Sequence, residues 1–324
     1  CLYALDPTHP KALEFIERSF SVNRERGIRY YMIDFLYAGA GNLNHPGPLA
    51  GSVHAPLADA EIVPGPEAFQ TALKVIRKAV GPDTYLLAST GPTLHTAGVV
   101  DGIRTGNDFG EGRSIAKESF FYPASYVINS SSFWTGCLPA LRNQAAAYYT
   151  HRRLYLNDSG NVLTVDKPLP LSDAQLHATI HAMSGGPSMM GDDIDRMADE
   201  RLALIKKTLP RSSDVAVPVD LFDAPLPDHP KVFHRRVKKE WGSFDVVAVY
   251  NFSAETLHLP LVLSGLGLDM DQDYLVWEFW NERYIGRIRE QLDAQVPPGT
   301  VKVYRIVRDG GQPVLLGTDM HVLM

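Results

Sequence analysis

The sequence predicts an α/β fold whose first two thirds hold parallel strands joined by helices and whose last third is an antiparallel β domain. Up to about residue 212, segments with helical spacing of apolar residues alternate with short apolar strands, which is typical of parallel strands with crossover helices. Beyond that point the segments are strand-like and separated by turns. The predicted domains are therefore residues 1–212 and 213–324.

The elements follow from apolar spacing and from glycine and proline stop signals. Gly27 and Gly81-Pro82 are typical helix stops, and Asp192-Asp193 offers capping side chains to the last helix. The predicted helices are Pro10–Arg26, Glu67–Val80, Pro139–Arg152, Asp173–Met183 and Asp195–Leu209. The predicted strands are 28–35, Thr84–Ala88, Gly98–Arg104, Leu154–Asn157, Val232–Phe252, Leu257–Leu263, Tyr274–Trp280 and Val301–Val307.

Composition and charge exclude several classes of protein. The 324 residues are 45% apolar and 21% charged, which is ordinary for a globular protein. A net charge of −6 gives no electrostatic reason to expect nucleic acid or an anionic membrane as partner. No apolar run approaches the roughly 18 residues that a membrane span needs. Two cysteines, Cys1 and Cys137, predict no disulfide framework and slightly favour a reducing, cytoplasmic compartment.

Acidic residues follow the predicted strands, where parallel α/β folds place their chemistry. Asp34 closes the first strand, Asp108 lies shortly after Gly98–Arg104, and Asp158 follows Leu154–Asn157. Each of them alone is also explained as a cap of a turn or helix. Two facing carboxylates suit glycoside cleavage, because one can attack the anomeric carbon while the other protonates the leaving oxygen. Neither step needs a metal or an organic cofactor.

Short segments along nearly the whole chain carry a resemblance to a known family. They are Leu5–Pro10, Tyr30–Gly39, Gly81–Leu87, Val99–Asp108, Leu154–Asp158, Met183–Gly186, Asp192-Asp193, Trp277–Trp280 and Pro297–Val301. In this order they resemble the bacterial branch of glycoside hydrolase family thirty-six, which holds the α-galactosidases. The resemblance implies a (β/α)8 TIM-type barrel followed by a C-terminal antiparallel β domain. It also implies retaining hydrolysis of terminal α-linked sugars, with an oligosaccharide or glycoside as substrate.

By this resemblance, Asp34 is the nucleophile and Asp108 the acid/base, and their carboxyl groups are expected roughly 5 to 7 Å apart. Arg104 matches an arginine that shapes the sugar site. Asp158 matches part of an Asn-Asp-Pro-Asp segment, although Ser159-Gly160 stands here in place of Pro-Asp.

Two aromatic or apolar positions complete the predicted sugar site. Met32 stands where the family has a lysine that reaches sugar hydroxyls, so a hydrogen-bond donor is replaced by a thioether. This substitution predicts an altered specificity. Trp134 lies in a predicted polar loop, Asn129–Gly136, and is a candidate for stacking on a sugar face.

The resemblance also predicts strands before Leu2–Leu5, so that roughly five or six of eight barrel strands are expected in this chain. A homo-oligomer or a second chain would then complete the barrel. The alternative function is a non-catalytic carbohydrate-binding relative that keeps the scaffold. Met32 and the missing Pro-Asp after Asp158 favour this alternative, whereas the presence of both Asp34 and Asp108 favours the enzyme.

Overall fold

The computed structural model describes residues 4–34, 39–40, 56–89, 94–106, 133–159, 162–223 and 229–323. The helices are α1 (Pro10–Glu25), α2 (Pro66–Val80), α3 (Phe133–Ala147), α4 (Leu171–Ser184) and α5 (Asp199–Lys206). The first strands are β1 (Tyr30–Ile33), β2 (Tyr85–Ala88), β3 (Gly102–Arg104), β4 (Leu156–Asp158) and β5 (Val217–Pro218). The others are β6 (Val232–Lys239), β7 (Gly242–Asn251), β8 (Leu257–Val262), β9 (Tyr274–Glu278), β10 (Arg283–Ile288), β11 (Gln291–Val296) and β12 (Thr300–Arg308).

Strands β1 to β4 form a four-stranded sheet in the order β1-β2-β3-β4. The pairings of β1 with β2 and of β2 with β3 are parallel, with Tyr30 opposite Tyr85 and Leu87 opposite Gly102. The sequence predicted this arrangement, because each of these strands is separated from the next by more chain than a hairpin turn contains.

The described residues fall into two compact units. The first includes α1, α2, β1, β2 and β3, and the second includes α3 to α5 and the antiparallel strands. In the first unit, α2 packs its apolar stripe against the sheet. Phe69, Leu73 and Ile76 lie in one core cluster with Leu86 of β2 and Ile103 of β3. The side chains on this face of the sheet therefore pack against the helices, whereas those on the opposite face do not.

The second unit is built around a six-stranded sheet in the order β10-β9-β12-β7-β6-β5, and β8 and β11 form a separate antiparallel pair. Strand β7 is buried on both sides. Its residues Phe244 and Val246 belong to a core cluster that also contains side chains of α3 and α4. Its residues Val247 and Val249 belong to a second cluster that contains side chains of β8 and β11. The alternation of side chains along one strand thus joins two cores.

The predicted class, a parallel α/β region and a C-terminal antiparallel β domain, is confirmed. The boundary at residues 212/213 stays a prediction. The strands β10 and β11 were not predicted. Strand β10 carries several polar residues, whereas β11 does alternate polar and apolar residues, a strand signal that sequence reasoning missed. No helix among the described residues is long and apolar enough to cross a bilayer.

Several predicted elements need correction, among them the strand Val232–Phe252, which is the antiparallel pair β6 and β7. Helix α3 begins at Phe133 and contains Pro139 in its interior, although a proline ordinarily marks the first turn. Strand β3 begins only at Gly102, because Gly98 has a φ of +78° within a turn. Asp192 does not cap a helix. Its carboxylate accepts hydrogen bonds from the backbone amides of Val165 and Asp166, at 2.6 and 3.2 Å.

Candidate functional site

Asp34 follows β1 directly, on the sheet face opposite the helices. Tyr31 and Ile33 pack into the core formed with the helices. Tyr30 and Met32 point to the other face and are 40% and 44% exposed. Because side chains alternate along a strand, Asp34 continues the face of Tyr30 and Met32. Its side chain is exposed. The first unit therefore presents Met32 and Asp34 in succession along one strand.

Ser89 takes the equivalent place at the end of β2. The ladder continues one step beyond the strands, because the Ser89 amide donates to the Ile33 carbonyl over 2.8 Å. Ser89 therefore lies beside Asp34 in the sheet. The residue is 2% exposed, and its hydroxyl has no hydrogen-bond partner in the described part of the chain. Such an unpaired buried hydroxyl calls for an explanation, and a bound ligand supplies one.

Arg104 ends β3, the next strand of the sheet. The register pairs Ala88 with Ile103, so Arg104 lies beside Ser89. Ile103 belongs to the helix-side core, which places Arg104 on the opposite face. The ends of three adjacent strands thus carry a carboxylate, a hydroxyl and a half-buried guanidinium. We call Asp34, Ser89 and Arg104 the strand-end group.

An aromatic pair lies on the same face as the strand-end group, at the other end of the strands. The rings of Tyr30 and Tyr85 stack with centroids 5.3 Å apart and planes 10° from parallel. Gly102 makes room for this pair, because a Cβ at that position would collide with the Tyr85 hydroxyl. Leu87, directly beside Met32 in the register, is fully buried. The surface that leads along the strands to Asp34 is therefore aromatic and apolar.

Asp158 belongs to the second unit and ends β4. Its carbonyl accepts hydrogen bonds from the Thr105 amide at 2.9 Å and the Thr105 hydroxyl at 2.7 Å. The residue is only 6% exposed. Arg211 is its cationic neighbour: burial lowers the pKa of Arg211 to about 10, and the Asp158 carboxylate acts in the opposite direction. Removal of either group would therefore leave the charge of the other group buried and uncompensated.

Asn157, the other polar residue of this strand end, has a structural role. Its amide group donates to the Ala147 carbonyl at 2.8 Å, and its side-chain oxygen accepts from the Thr150 hydroxyl at 3.0 Å. Its backbone amide donates to Nδ1 of His151. These bonds tie β4 to the end of α3.

Ser159, at the position where the family that the sequence resembles has proline, contacts a buried histidine. Its hydroxyl lies 3.3 Å from Nδ1 of His181, which also contacts the Ser188 hydroxyl at 2.8 Å. Burial lowers the pKa of His181 well below its usual value and that of neighbouring His177 to about 4. Both imidazoles are therefore neutral at pH 7. Sequence reasoning missed this pair, although His177 and His181 stand four residues apart on a predicted helix.

The side chains of two predicted site residues lie outside the part of the chain that the structure describes. Asp108 lies outside the described residues, so the expected distance between its carboxyl group and that of Asp34 stays a prediction. Trp134 is part of helix α3 rather than of a loop, and its side chain lies outside what the structure describes. Among the described residues, no group of three histidines, cysteines or acidic residues could hold a metal ion.

Comparison with solved structures identifies the fold. A GH27 β-L-arabinopyranosidase from Geobacillus stearothermophilus matches with a TM-score of 0.68 and 14% identity over 97% of this chain and 65% of its own. The α-galactosidase I of Mortierella vinacea matches with a TM-score of 0.64 and 13% identity, over 90% and 71%. An isomalto-dextranase from Arthrobacter globiformis T6, complexed with panose, matches with a TM-score of 0.60 and 17% identity, over 94% and 50%.

These neighbours are TIM-barrel glycosidases with a C-terminal antiparallel β domain, which confirms the predicted fold class. The chain spans about two thirds of the arabinopyranosidase's length. No family model matches the sequence. The arabinopyranosidase belongs to family twenty-seven, whereas membership of this chain in the predicted family thirty-six is not shown. The identity of 13% to 17% shows the fold alone.

Proposed function

We propose that this chain is a retaining glycoside hydrolase related to family thirty-six, acting on terminal α-linked sugars of the α-galactoside type with an altered specificity. The observation that carries the proposal is the exposed carboxylate of Asp34 at the end of β1, beside Ser89, in the fold of α-galactosidase-like glycosidases. In such folds the carboxyl ends of the parallel strands carry the catalytic groups.

The proposed reaction has two steps. In the first, an Asp34 oxygen forms a bond to the anomeric carbon while the glycosidic bond breaks and Asp108 gives its proton to the leaving oxygen. In the second, Asp108 takes a proton from water, the water oxygen attacks the anomeric carbon, and the bond to Asp34 breaks. Two inversions give net retention. The reaction is complete with these two carboxyl groups.

Sugar recognition is assigned to the other strand-end residues. The guanidinium of Arg104 and the hydroxyl of Ser89 can donate to sugar hydroxyls, and Asp158 can accept from them. Met32 can do neither. The arabinopyranosidase and α-galactosidase neighbours support a galactose-type ring, because L-arabinopyranose has the ring configuration of galactose without the hydroxymethyl group. Met32 then tunes which substituents are accepted.

The second candidate function is non-catalytic carbohydrate binding on the same scaffold. It is supported by Met32, which removes a donor from the site, and by Ser159-Gly160 after Asp158. It uses the same strand-end group for binding but forms no covalent intermediate.

A trapping experiment distinguishes the two candidates. The protein is first tested on a panel of nitrophenyl α-glycosides, and the anomer released first is identified by NMR. A 2-fluoro glycosyl fluoride of the best substrate is then used to accumulate the covalent intermediate, which is located by peptide mass spectrometry. We expect the adduct on Asp34 and none in Asp34→Asn. Sugar binding without turnover or adduct would support the non-catalytic relative instead.

A further inference from the structure

Arg211 lies in the segment between α5 and β5, and its guanidinium donates several hydrogen bonds to the end of α4. Its Nη2 donates to the Ser184 hydroxyl at 3.1 Å and to the Gly186 carbonyl at 3.0 Å, and its Nε donates to the same carbonyl at 3.2 Å. The Ser184 hydroxyl in turn donates to the His181 carbonyl. Arg211 therefore holds the turn Ser184–Gly186 by side-chain and main-chain oxygens together.

That turn is pressed against the strand end that carries Asp158. Gly186 lies so close to β4 that a Cβ there would overlap the Asn157 carbonyl. Gly185 has a φ of +74°, and a Cβ there would collide with the backbone of Asp214 and Val215. The two glycines thus fit between β4 and the segment that follows Arg211. A displacement of Arg211 would be transmitted through Gly186 to the backbone of Asp158.

The charges of Arg211 and Asp158 are also coupled. The Asp158 carboxylate stabilises the cationic form of Arg211, whose burial otherwise disfavours it. The Nη1 atom of Arg211 is buried and has no hydrogen-bond partner within the described residues. Arg235, another arginine near this segment, is buried and instead binds Ser212 and Asp214. Arg211 is thus a cation that interacts electrostatically with the Asp158 carboxylate and keeps a buried, unpaired Nη1 atom within the described residues.

We propose that Arg211 is a positioning residue that fixes the orientation and the charge of Asp158, acting through this carboxylate and the Gly186 turn without touching the sugar. The inference rests on the proposed function, which makes Asp158 a sugar-binding residue. It assigns a role to a residue outside the strand ends, in the segment that leads into the antiparallel sheet.

Arg201 offers a matched control. It is a buried arginine of the same unit, 5% exposed, and its Nη1 donates to the Val165 carbonyl at 3.0 Å. It shares a main-chain contact of this kind with Arg211, and the carboxylate on which its charge acts is that of Asp192. Arg201→Met reports what the loss of a buried arginine does by itself.

A thermal-unfolding cycle tests the coupling without any use of activity. The variants are Arg211→Met, Asp158→Asn, their combination, and Arg201→Met with and without Asp158→Asn. Each single change at Arg211 or Asp158 leaves the buried charge of the other residue uncompensated. The two single changes therefore should not add: the loss of Tm in the double variant should be smaller than the sum of the two single losses, by at least about 3 °C. The combination of Arg201→Met with Asp158→Asn should be additive. Arg211→Lys keeps the charge and provides a milder variant where Arg211→Met folds poorly.

Kinetics test the positioning role. On the best nitrophenyl glycoside, Arg211→Met should raise KM about tenfold with a smaller change in kcat, because ground-state contacts of Asp158 are lost. The same change in the Asp158→Asn background should alter KM less than twofold. Arg201→Met should leave KM unchanged once the folded fraction is accounted for.

The outcomes separate this inference from the proposed function. Additive Tm changes, or an equal KM effect with and without the Asp158 carboxylate, overturn the positioning role while hydrolysis stands. A wild-type protein that neither hydrolyses nor binds any sugar of the panel, but shows the coupled Tm changes, contradicts the proposed function. In that case Arg211 still positions Asp158, but the Asp158 carboxylate does not bind a sugar.

Discussion

The Ser89 amide donates to the Ile33 carbonyl, and this bond sets Ser89 beside Asp34 in the sheet. The bond extends the parallel ladder one residue beyond the strands. Asp34 therefore has as its neighbour a serine that is almost fully buried and whose hydroxyl has no hydrogen-bond partner in the described structure. This hydroxyl is the reason that Ser89 is proposed to bind a polyhydroxyl substrate.

Removing the Ser89 hydroxyl should weaken substrate binding without destabilising the fold. We expect Ser89→Ala to raise KM about three- to tenfold, since about one hydrogen bond to the sugar is lost. Its Tm should be unchanged or higher, because the hydroxyl has no protein partner to lose. Thr84→Val is the control: this buried hydroxyl donates to the Val80 carbonyl at 2.8 Å, so its loss should lower Tm and leave KM unchanged. A lower Tm for Ser89→Ala would show that the hydroxyl is structural.

The roles of the two proposed carboxyl groups should separate with the leaving group. Asp34→Ala should abolish turnover of every substrate, because no covalent intermediate can form. Asp108→Ala should retain turnover of substrates with very acidic leaving groups, which need little protonation, and lose it for natural glycosides. The measurement is kcat/KM across nitrophenyl and alkyl glycosides. An equal loss on both kinds would remove Asp108 from the acid/base role.

Met32 should control the preference between sugars. Because Met32 precedes Asp34 on the same exposed strand face, a lysine there can extend a donor towards the bound ring. Met32→Lys should shift the ratio of kcat/KM towards plain α-galactosides relative to other α-glycosides. Met32→Leu, which keeps size and polarity, should leave that ratio unchanged. If both variants behave alike, the position does not contact the substrate.

The buried histidines should make stability fall in acid. The folded pKa of His177 is about 4, below its unfolded value near 6.5, so the unfolded state binds more protons between these values. The contribution of the neutral His177 to the free energy of unfolding is at most roughly 3 kcal/mol. It is fully present above pH 6.5 and is lost as the pH falls towards 4. Denaturant unfolding at pH 7, 5.5 and 4.5 measures the loss. His177→Gln should flatten the pH dependence, whereas His258→Gln, at an exposed site, should not.

Most elements of this fold could be predicted from local patterns. The apolar spacing of Pro10–Glu25 and Pro66–Val80, followed by Gly27 and Gly81, predicted α1 and α2 to within a residue or two. The apolar strand before Asp34 was predicted in the same way. Strand β10 carries no clear local period and is defined by its pairing with β9, whereas the alternating residues of β11 were a local signal that sequence reasoning missed.

The sequence by itself determined which segments are helices and strands and which acidic residue follows the first strand, because burial of one face imposes a local period on the residues. Only the tertiary structure decided which distant residues meet. Ser89 stands beside Asp34 because β1 and β2 pair in one register, and the 54 residues of chain between Asp34 and Ser89 do not indicate this pairing. Arg211 reaches the Asp158 strand end because two glycines allow the backbones to approach. Such contacts arise from packing between segments, which no local period encodes.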